Sequence, residues 1–281
     1  MIKNQEFILT GALESSFKAD VTYSTAVEQK GLVLFCHGFK GFKDWGSWPA
    51  IAEYFAKEGL AFLKFNFSHS GIGLDDSEAF TALEKFGTNT LGKEVADIKS
   101  IVHFINSKLA TAIPEINTST ISIIGHSKGC ASALLYCLQE DTKIQRIITW
   151  ASPFDFHRSW NAKFIKKWRT EGVQYIKNAR TNQMMPLHIE VLEDLELNRE
   201  KYSLKDGGKR LKIPFLIIQG TNDPAVPMDE FNALKKNFPK ASTHLIEHAN
   251  HVFDASHPYE SKSLPEHTQA LVATTIAFIL K

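Results

Sequence analysis

The apolar, mostly β-branched run Thr120-Ile121-Ser122-Ile123-Ile124 leads straight into Gly125-His126-Ser127-Lys128-Gly129, and the small residues Cys130-Ala131-Ser132-Ala133 follow. Few patterns restrict a backbone more. A strand delivers the serine to a sharp turn, and a helix starts immediately behind it. Gly125 and Gly129 flank the serine because side chains there would collide where strand and helix approach each other. Ser127 then stands at the carboxyl edge of a sheet with its hydroxyl clear of the backbone. The helix N-terminus beside it favours negative charge developing nearby. An ordinary tight turn after a buried strand would account for the glycines alone. The strand–turn–helix setting marks Ser127 as a candidate nucleophile.

The flanking sequence supplies the matching architecture. Residues 6–10 and 17–24 read as two antiparallel strands at a sheet edge, separated by Gly11. Gly31 to Gly38 and Leu60 to Phe67 read as strands buried on both faces, because their apolar runs are continuous. Between them Trp48 to Lys57 has helical periodicity, with Ser47 as cap candidate and Pro49 in the first turn. A loop rich in Gly, Ser and Asp spans Ser68 to about Ser77. Leu91 to Leu109 then places Val95, Ile98, Ile101, Val102 and Ile105 on one helical face. Ile144 to Trp150 makes a further strand. The alternation breaks over 153–211, too long for a normal crossover, and resumes with a strand at Ile213–Gly220. A helix from Met228 to Asn237, a strand from Thr243 to Glu247 and a helix from Pro265 to Leu280 complete the chain.

A serine hydroxyl needs a base, and the base needs an orienting acid. On this architecture both belong on loops at the carboxyl ends of later strands. Asp223, in Gly220-Thr221-Asn222-Asp223-Pro224, follows one such strand, although Asn-Asp-Pro also makes a good turn unaided. His251, in His248-Ala249-Asn250-His251, follows the next and is the expected base. His248 is its main competitor, His257 a weaker one, and Asp254 the nearest alternative acid. The chain order Ser127, Asp223, His251 favours the first assignment. His37-Gly38-Phe39 follows the first buried parallel strand. The backbone N–H groups of Phe39 and Lys128 are the expected oxyanion donors there, and His37 is expected to brace the loop. The Lys128 side chain reads either as a solvated charge or as a preference for acidic substrates. His69, in Ser68-His69-Ser70-Gly71, lacks the elbow pattern.

With these pieces in place, the chain resembles the α/β-hydrolase fold superfamily over essentially its whole length. Within it the chain is most similar to the dienelactone-hydrolase-like, cinnamoyl-esterase-like and S33-peptidase-like serine hydrolases. The loop at His37-Gly38-Phe39, the stretch Phe65-Asn66-Phe67-Ser68-His69-Ser70-Gly71, and the Ser127, Asp223 and His251 loops carry the likeness. Two positions depart from the relatives: Ser127 stands where dienelactone hydrolases have cysteine, and Cys130 where many relatives have glycine. The resemblance implies a mostly parallel sheet of about eight strands with helices on both faces. It divides the chain into a core of residues 1–152 and 212–281 and an inserted cap of 153–211. It implies hydrolysis of a small-molecule carboxylic ester through an acyl-enzyme, with no metal or organic cofactor. Amide or peptide hydrolysis on the same residues is one alternative. A hydrolase-fold receptor with little turnover is the other.

The insertion holds Phe154, Phe156, Trp160, Phe164, Trp168, Tyr175, Met184 and Met185. Leaving one strand and returning before the Asp223 strand, it is expected to lie over the serine, with Trp160 and Trp168 as candidate substrate contacts. Such a cover implies small-to-medium hydrophobic or aromatic acids rather than long lipid chains. Lys plus Arg number 32 against 31 Asp plus Glu, which gives no dedicated nucleic-acid surface. No apolar run reaches the ~20 residues of a bilayer span, and the first ten residues do not read as a signal peptide. With Cys36, Cys130 and Cys137 read as structural thiols, a cytoplasmic location is expected.

Overall fold

In the computed structural model, residues 1–75, 79–138, 142–156 and 160–281 are described. The sheet grows outward from β3 (Gly31–Cys36) and β5 (Ile121–His126), which pair in parallel at its centre. Every residue of both is buried. Side chains alternate between two faces along such strands, so each strand feeds two cores. Leu32, Leu34 and Cys36 of β3 face one core, and Val33 and Phe35 the other.

The full order is β1 (Ile2–Thr10), β2 (Ser16–Ser24), β4 (Leu60–Phe65), β3, β5, β6 (Ile144–Trp150), β9 (Phe215–Gly220) and β10 (Ser242–Ile246). Within this sheet, among the described residues, only β1–β2 and β2–β4 pair antiparallel. The sheet is therefore the expected mostly parallel one with an antiparallel edge. On one face α1 (Trp48–Lys57) and α10 (Glu266–Ile279) pack through Ile51, Phe55, Leu271 and Ile276. On the other lie α3 (Leu91–Phe104), α5 (Lys128–Cys137) and α9 (Met228–Asn237), through Ile98, Leu134 and Phe231.

Local details depart from expectation. The helix expected to reach Leu109 is α-helical only to Phe104. A π turn covers Ile105–Leu109, and α4 (Ala110–Ala112) ends the segment. Ser47 sits at the cap position of α1, but its side chain makes no capping bond and its Oγ is buried without a partner. In the loop expected to end near Ser77, residues 76–78 lie outside the described ones. A short helix, α2 (Leu83–Gly87), follows.

The loop after β3, which bears Phe39, is tied down by charge. Lys43 Nζ bridges Asp20 and Asp44 at 2.5 Å each, and Lys64 Nζ reaches the same two carboxylates at 2.6 and 2.5 Å. Burial alone would discharge these groups, but the opposite charges win, raising Lys43 and lowering Asp44. With two cations facing two anions, neither sign is left uncompensated.

Between β6 and β9 no described residue adds a strand to the main sheet. The chain forms α6 (Ala162–Glu171), a separate antiparallel pair β7 (Val173–Lys177) and β8 (Met184–His188), α7 (Glu190–Leu197) and α8 (Gly207–Arg210). An apolar cluster joins Trp168, Met185, Leu187 and Val191 of this segment to Phe42, Phe80 and Phe86. That packing seats it against the loop after β3 and the β4–α3 connection. Among the described residues no helix is long and apolar enough to cross a membrane.

Candidate active site

At the end of β5 the backbone of Ser127 takes φ 54° and ψ −123°, a strained conformation for a residue with a side chain. Its N–H donates to Trp150 O at 3.0 Å and its carbonyl accepts from Cys130 N–H at 3.0 Å, bonds that hold the turn closed. A Cβ on Gly129 would lie 2.3 Å from Cys36 O, and one on Gly125 2.5 Å from Cys130 Cα. Only hydrogen fits at either place. Cys130 is accommodated because its thiol points away and donates to Gly125 O at 2.9 Å. Burial pushes that thiol up to about 12, so it remains protonated.

The loop after β9 carries Asp223, whose carboxylate is all but buried, and the loop after β10 carries His251. His251 Nδ1 and Asp223 Oδ2 are 2.8 Å apart. The other oxygen, Oδ1, accepts the N–H groups of Ala225 and Val226, each at 2.8 Å, while Gln219 Nε2 donates to Oδ2 at 3.0 Å. Burial raises this carboxyl, but the bond and charge of His251 and the two amides outweigh it and hold Asp223 below the usual carboxylate range. With Nδ1–H donating to Asp223, Nε2 of His251 is left as the lone-pair nitrogen.

Ser127 Oγ forms no hydrogen bond with His251 among the described residues. His126 is what brings the two loops together. Its Nε2–H donates to His251 O at 2.9 Å, and the two rings lie 5.0 Å apart. Burial, then the neighbouring His251, lower His126 to about 3, so it is a neutral donor at any working pH. Sequence reasoning passed over this residue. The available signal was its position next to the nucleophile, where a side chain must point toward the base loop.

The other histidines singled out in the sequence engage different partners. His248 has a φ of 63°, is exposed, and engages Thr221 Oγ1 only through its backbone N–H. His257 Nδ1 accepts the Gly46 N–H at 3.0 Å, and its ring stacks on Trp45. His37 Nε2 accepts from Phe67 N–H at 3.2 Å while Nδ1 faces Gly38 O at 3.0 Å, which braces the loop as expected. His69 bonds Ser68 Oγ at 2.8 Å. Asp254 faces His267, at 2.6 Å, rather than His251.

A Cβ on Gly38 would lie 3.0 Å from Ser127 Cβ, so the loop after β3 passes directly over the serine. Phe39 N–H has no acceptor among the described residues. Lys128 N–H opens α5 and so has no intrahelical partner. The two expected donors therefore flank the serine with free N–H groups. No three His, Cys, Asp or Glu side chains converge as a metal-ligand set among the described residues.

Ser127 opens onto a cavity of about 240 Å³, walled by Phe39, Leu91, Ala131, Phe156, Trp160 and Leu187, with Asn89, Lys128 and Asp155 as its polar members. Trp160 is thus on the wall. Trp168 is not: it is fully buried behind Trp160, 5.0 Å away edge to face, and its Nε1–H donates to Leu187 O at 2.7 Å. That bond satisfies the indole only if the ring stays inside the insertion. Tyr175 and Met184 are exposed, and of the insertion's aromatic and methionine side chains Phe156 and Trp160 line the cavity, joined by Leu187, Val191 and Leu195. Lys128 is partly exposed and ion-paired. Its Nζ donates to Glu94 Oε1 at 2.7 Å, and Glu94 also accepts from Asn89 Nδ2 at 2.8 Å and from Ser132 Oγ.

The sequence model of the family described as serine aminopeptidase, S33, matches residues 27–201. The chain belongs to this family. The S33 match takes in Ser127 and stops before Asp223 and His251. No curated protein sequence matches the chain. Among solved structures, Est1E from Butyrivibrio proteoclasticus is 18% identical with a TM-score of 0.66, over 98% of this chain and 97% of that one. A putative hydrolase from Agrobacterium vitis is 14% identical with a TM-score of 0.71, over 100% of both chains. An esterase from Pyrococcus furiosus is 17% identical with a TM-score of 0.62, over 100% of this chain and 94% of that one. The fold is that of the α/β-hydrolases, and this S33 family member is a hydrolase.

Proposed function

We propose that this hydrolase cleaves carboxylic esters of small-to-medium hydrophobic or aromatic acids through an acyl-enzyme on Ser127. The observation that carries the reading is the Asp223–His251 pair, 2.8 Å apart, beside a serine held at φ 54° over a mostly apolar cavity. His251 Nε2 takes the Ser127 proton as Oγ attacks the carbonyl carbon, and the same nitrogen returns it to the leaving alcohol. Asp223 keeps the proton on Nδ1 and stabilises the imidazolium. The Phe39 and Lys128 N–H groups receive the developing oxyanion. Water then attacks the acyl-enzyme by the same route in reverse.

A cavity of about 240 Å³ holds a short acyl chain or one aromatic ring, not a long lipid tail. Est1E, similar in fold, has been solved with ferulic acid bound, which agrees with an aromatic acid as one class to try. The family's description favours a second reading, amide hydrolysis, on the same residues. The insertion, residues 153–211, acts as the cap of a core formed by 1–152 and 212–281. Ser127→Ala should abolish fluorophosphonate labelling and lower p-nitrophenyl ester turnover by several orders of magnitude, with the melting temperature kept. Labelling that persists in the folded variant would refute the nucleophile. Faster turnover of aminoacyl-nitroanilides than of esters would move the reading to amides.

A further inference from the structure

The Lys128 side chain is an unusual wall for a mostly apolar cavity. Its Nζ carries three N–H groups, and among the described residues it has one acceptor, Glu94 Oε1, at 2.7 Å. The side chain keeps 24% of its exposure, and Lys128 lines the cavity that holds Ser127. Glu94 is almost wholly buried, and two of its three remaining lone-pair sites accept from Asn89 and Ser132. Phe39 closes the other side, its ring centroid 5.9 Å from Nζ. Two ammonium N–H groups are thus left for whatever occupies the cavity, within one residue of the nucleophile.

The charge balance decides what kind of acceptor fits. Lys128 and Glu94 sum to zero. A substrate carboxylate would be drawn to Lys128 and repelled by Glu94 beside it, and would also pay to leave water. A neutral oxygen pays far less to enter and still gains a charge-assisted hydrogen bond. Resting on the ester reading above, we infer that the Lys128 side chain selects esters carrying a neutral hydrogen-bond acceptor (an ether, hydroxyl or carbonyl oxygen) close to the scissile bond, over purely aliphatic and over acidic ones. The pair is an element of specificity in addition to the backbone N–H that Lys128 offers the oxyanion.

The test compares isosteric esters in which one oxygen replaces one methylene. On the acyl side these are p-nitrophenyl pentanoate and p-nitrophenyl β-methoxypropanoate; on the alcohol side, butyl and methoxyethyl esters of a common acid. Lys128→Met keeps the backbone donor and all but the last atom of the side chain's length. Because it strands the Glu94 charge, Lys128→Met with Glu94→Gln is measured as well. Intrinsic reactivity cancels in the ratio of kcat/KM values between parent and variant. The preference for the oxygen-bearing ester should fall about tenfold in at least one series. A fall below about fivefold in both series, with both variants folded, overturns the assignment. Glu94→Gln alone should raise turnover of p-nitrophenyl hemiglutarate relative to its methyl ester by about fivefold, since it unmasks the cation; an unchanged ratio overturns the role of charge. Inhibition constants of trifluoromethyl ketones bearing the same two chains repeat the comparison without turnover. A protein that discriminates between the ketones yet cleaves no ester overturns the ester reading and leaves the Lys128 inference standing.

Discussion

Asp223→Asn isolates one proton. Oδ1 of Asp223 accepts two backbone N–H groups at 2.8 Å, so the oxygen of an asparagine is forced to that side. Its NH₂ group must then occupy the Oδ2 position, facing His251 Nδ1 at 2.8 Å and Gln219 Nε2 at 3.0 Å. Two donors cannot share that space, so His251 turns to the tautomer with Nδ1 as acceptor and the proton on Nε2, where the serine needs a base. Gln219 could relieve its own conflict by flipping its amide, but that forfeits its bond to Val226 O at 2.9 Å. The wrong tautomer should lower kcat/KM for a p-nitrophenyl ester about 10⁴-fold near neutral pH, or about 5.4 kcal/mol at ~1.36 kcal/mol per tenfold. The disturbed hydrogen bonds should lower stability by about 1–3 kcal/mol. Steady-state rates, with fluorophosphonate labelling rates and denaturant unfolding of the same preparations, separate the two effects. A folded variant within tenfold of the parent would refute the role of Asp223 and the tautomer argument with it.

His251→Ala should lose nearly as much turnover as Ser127→Ala, and the double variant little more, while exposed His248→Ala stays near parent; the reverse ranking would transfer the base. Trp160→Ala should reorder the preference among acyl chains at modest cost in stability. Trp168→Ala, which empties a fully buried site, should cost about 3–5 kcal/mol by denaturant unfolding, and equal stability of the two variants would contradict this placement. Stability should fall in mild acid. Burial lowers His37 and His69 to about 4 and His126 to about 3, so all three take up protons in the unfolded chain first, and their contribution, complete above pH ~6.5, is lost as pH drops toward those values. Asp97, raised to about 6 by burial, works the other way, favouring the folded state below its unfolded value and losing that as pH rises to about 6. Three protons against one leave a slope of about 2.7 kcal/mol per pH unit between pH ~4 and ~6, and a flat unfolding free energy across that range would refute it.

The fold and its catalytic candidates were legible because they rest on local pattern. A strand buried on both faces needs a continuous apolar run, and β3, β4, β5 and β9 have one. A turn with no room for Cβ needs glycine, and Gly125 and Gly129 stand where Cys130 and Cys36 crowd the backbone. Chain order then placed Asp223 and His251 on successive loops at one sheet edge, and tertiary structure closed them to 2.8 Å.

What sequence pattern left open are properties of pairs distant along the chain. Nothing local distinguishes Glu94 from the other charges of an amphipathic helix, yet it reaches Lys128, 34 residues on, and turns a cation with no assigned role into part of a neutral cavity wall. Trp160 and Trp168 look alike in sequence, and only the packing of α6 against β8 sets one on the cavity and hides the other behind it. His126 joins the serine and histidine loops across 125 residues. The sequence determined which elements form and the order in which the serine, acid and base arrive, because strand period, glycine geometry and chain order act on neighbours. Tertiary structure alone decided which charges cancel, which aromatic faces the cavity, and which loops are tied together. Burial and Coulomb interaction depend on distance in space, and one chain's spacing does not encode it.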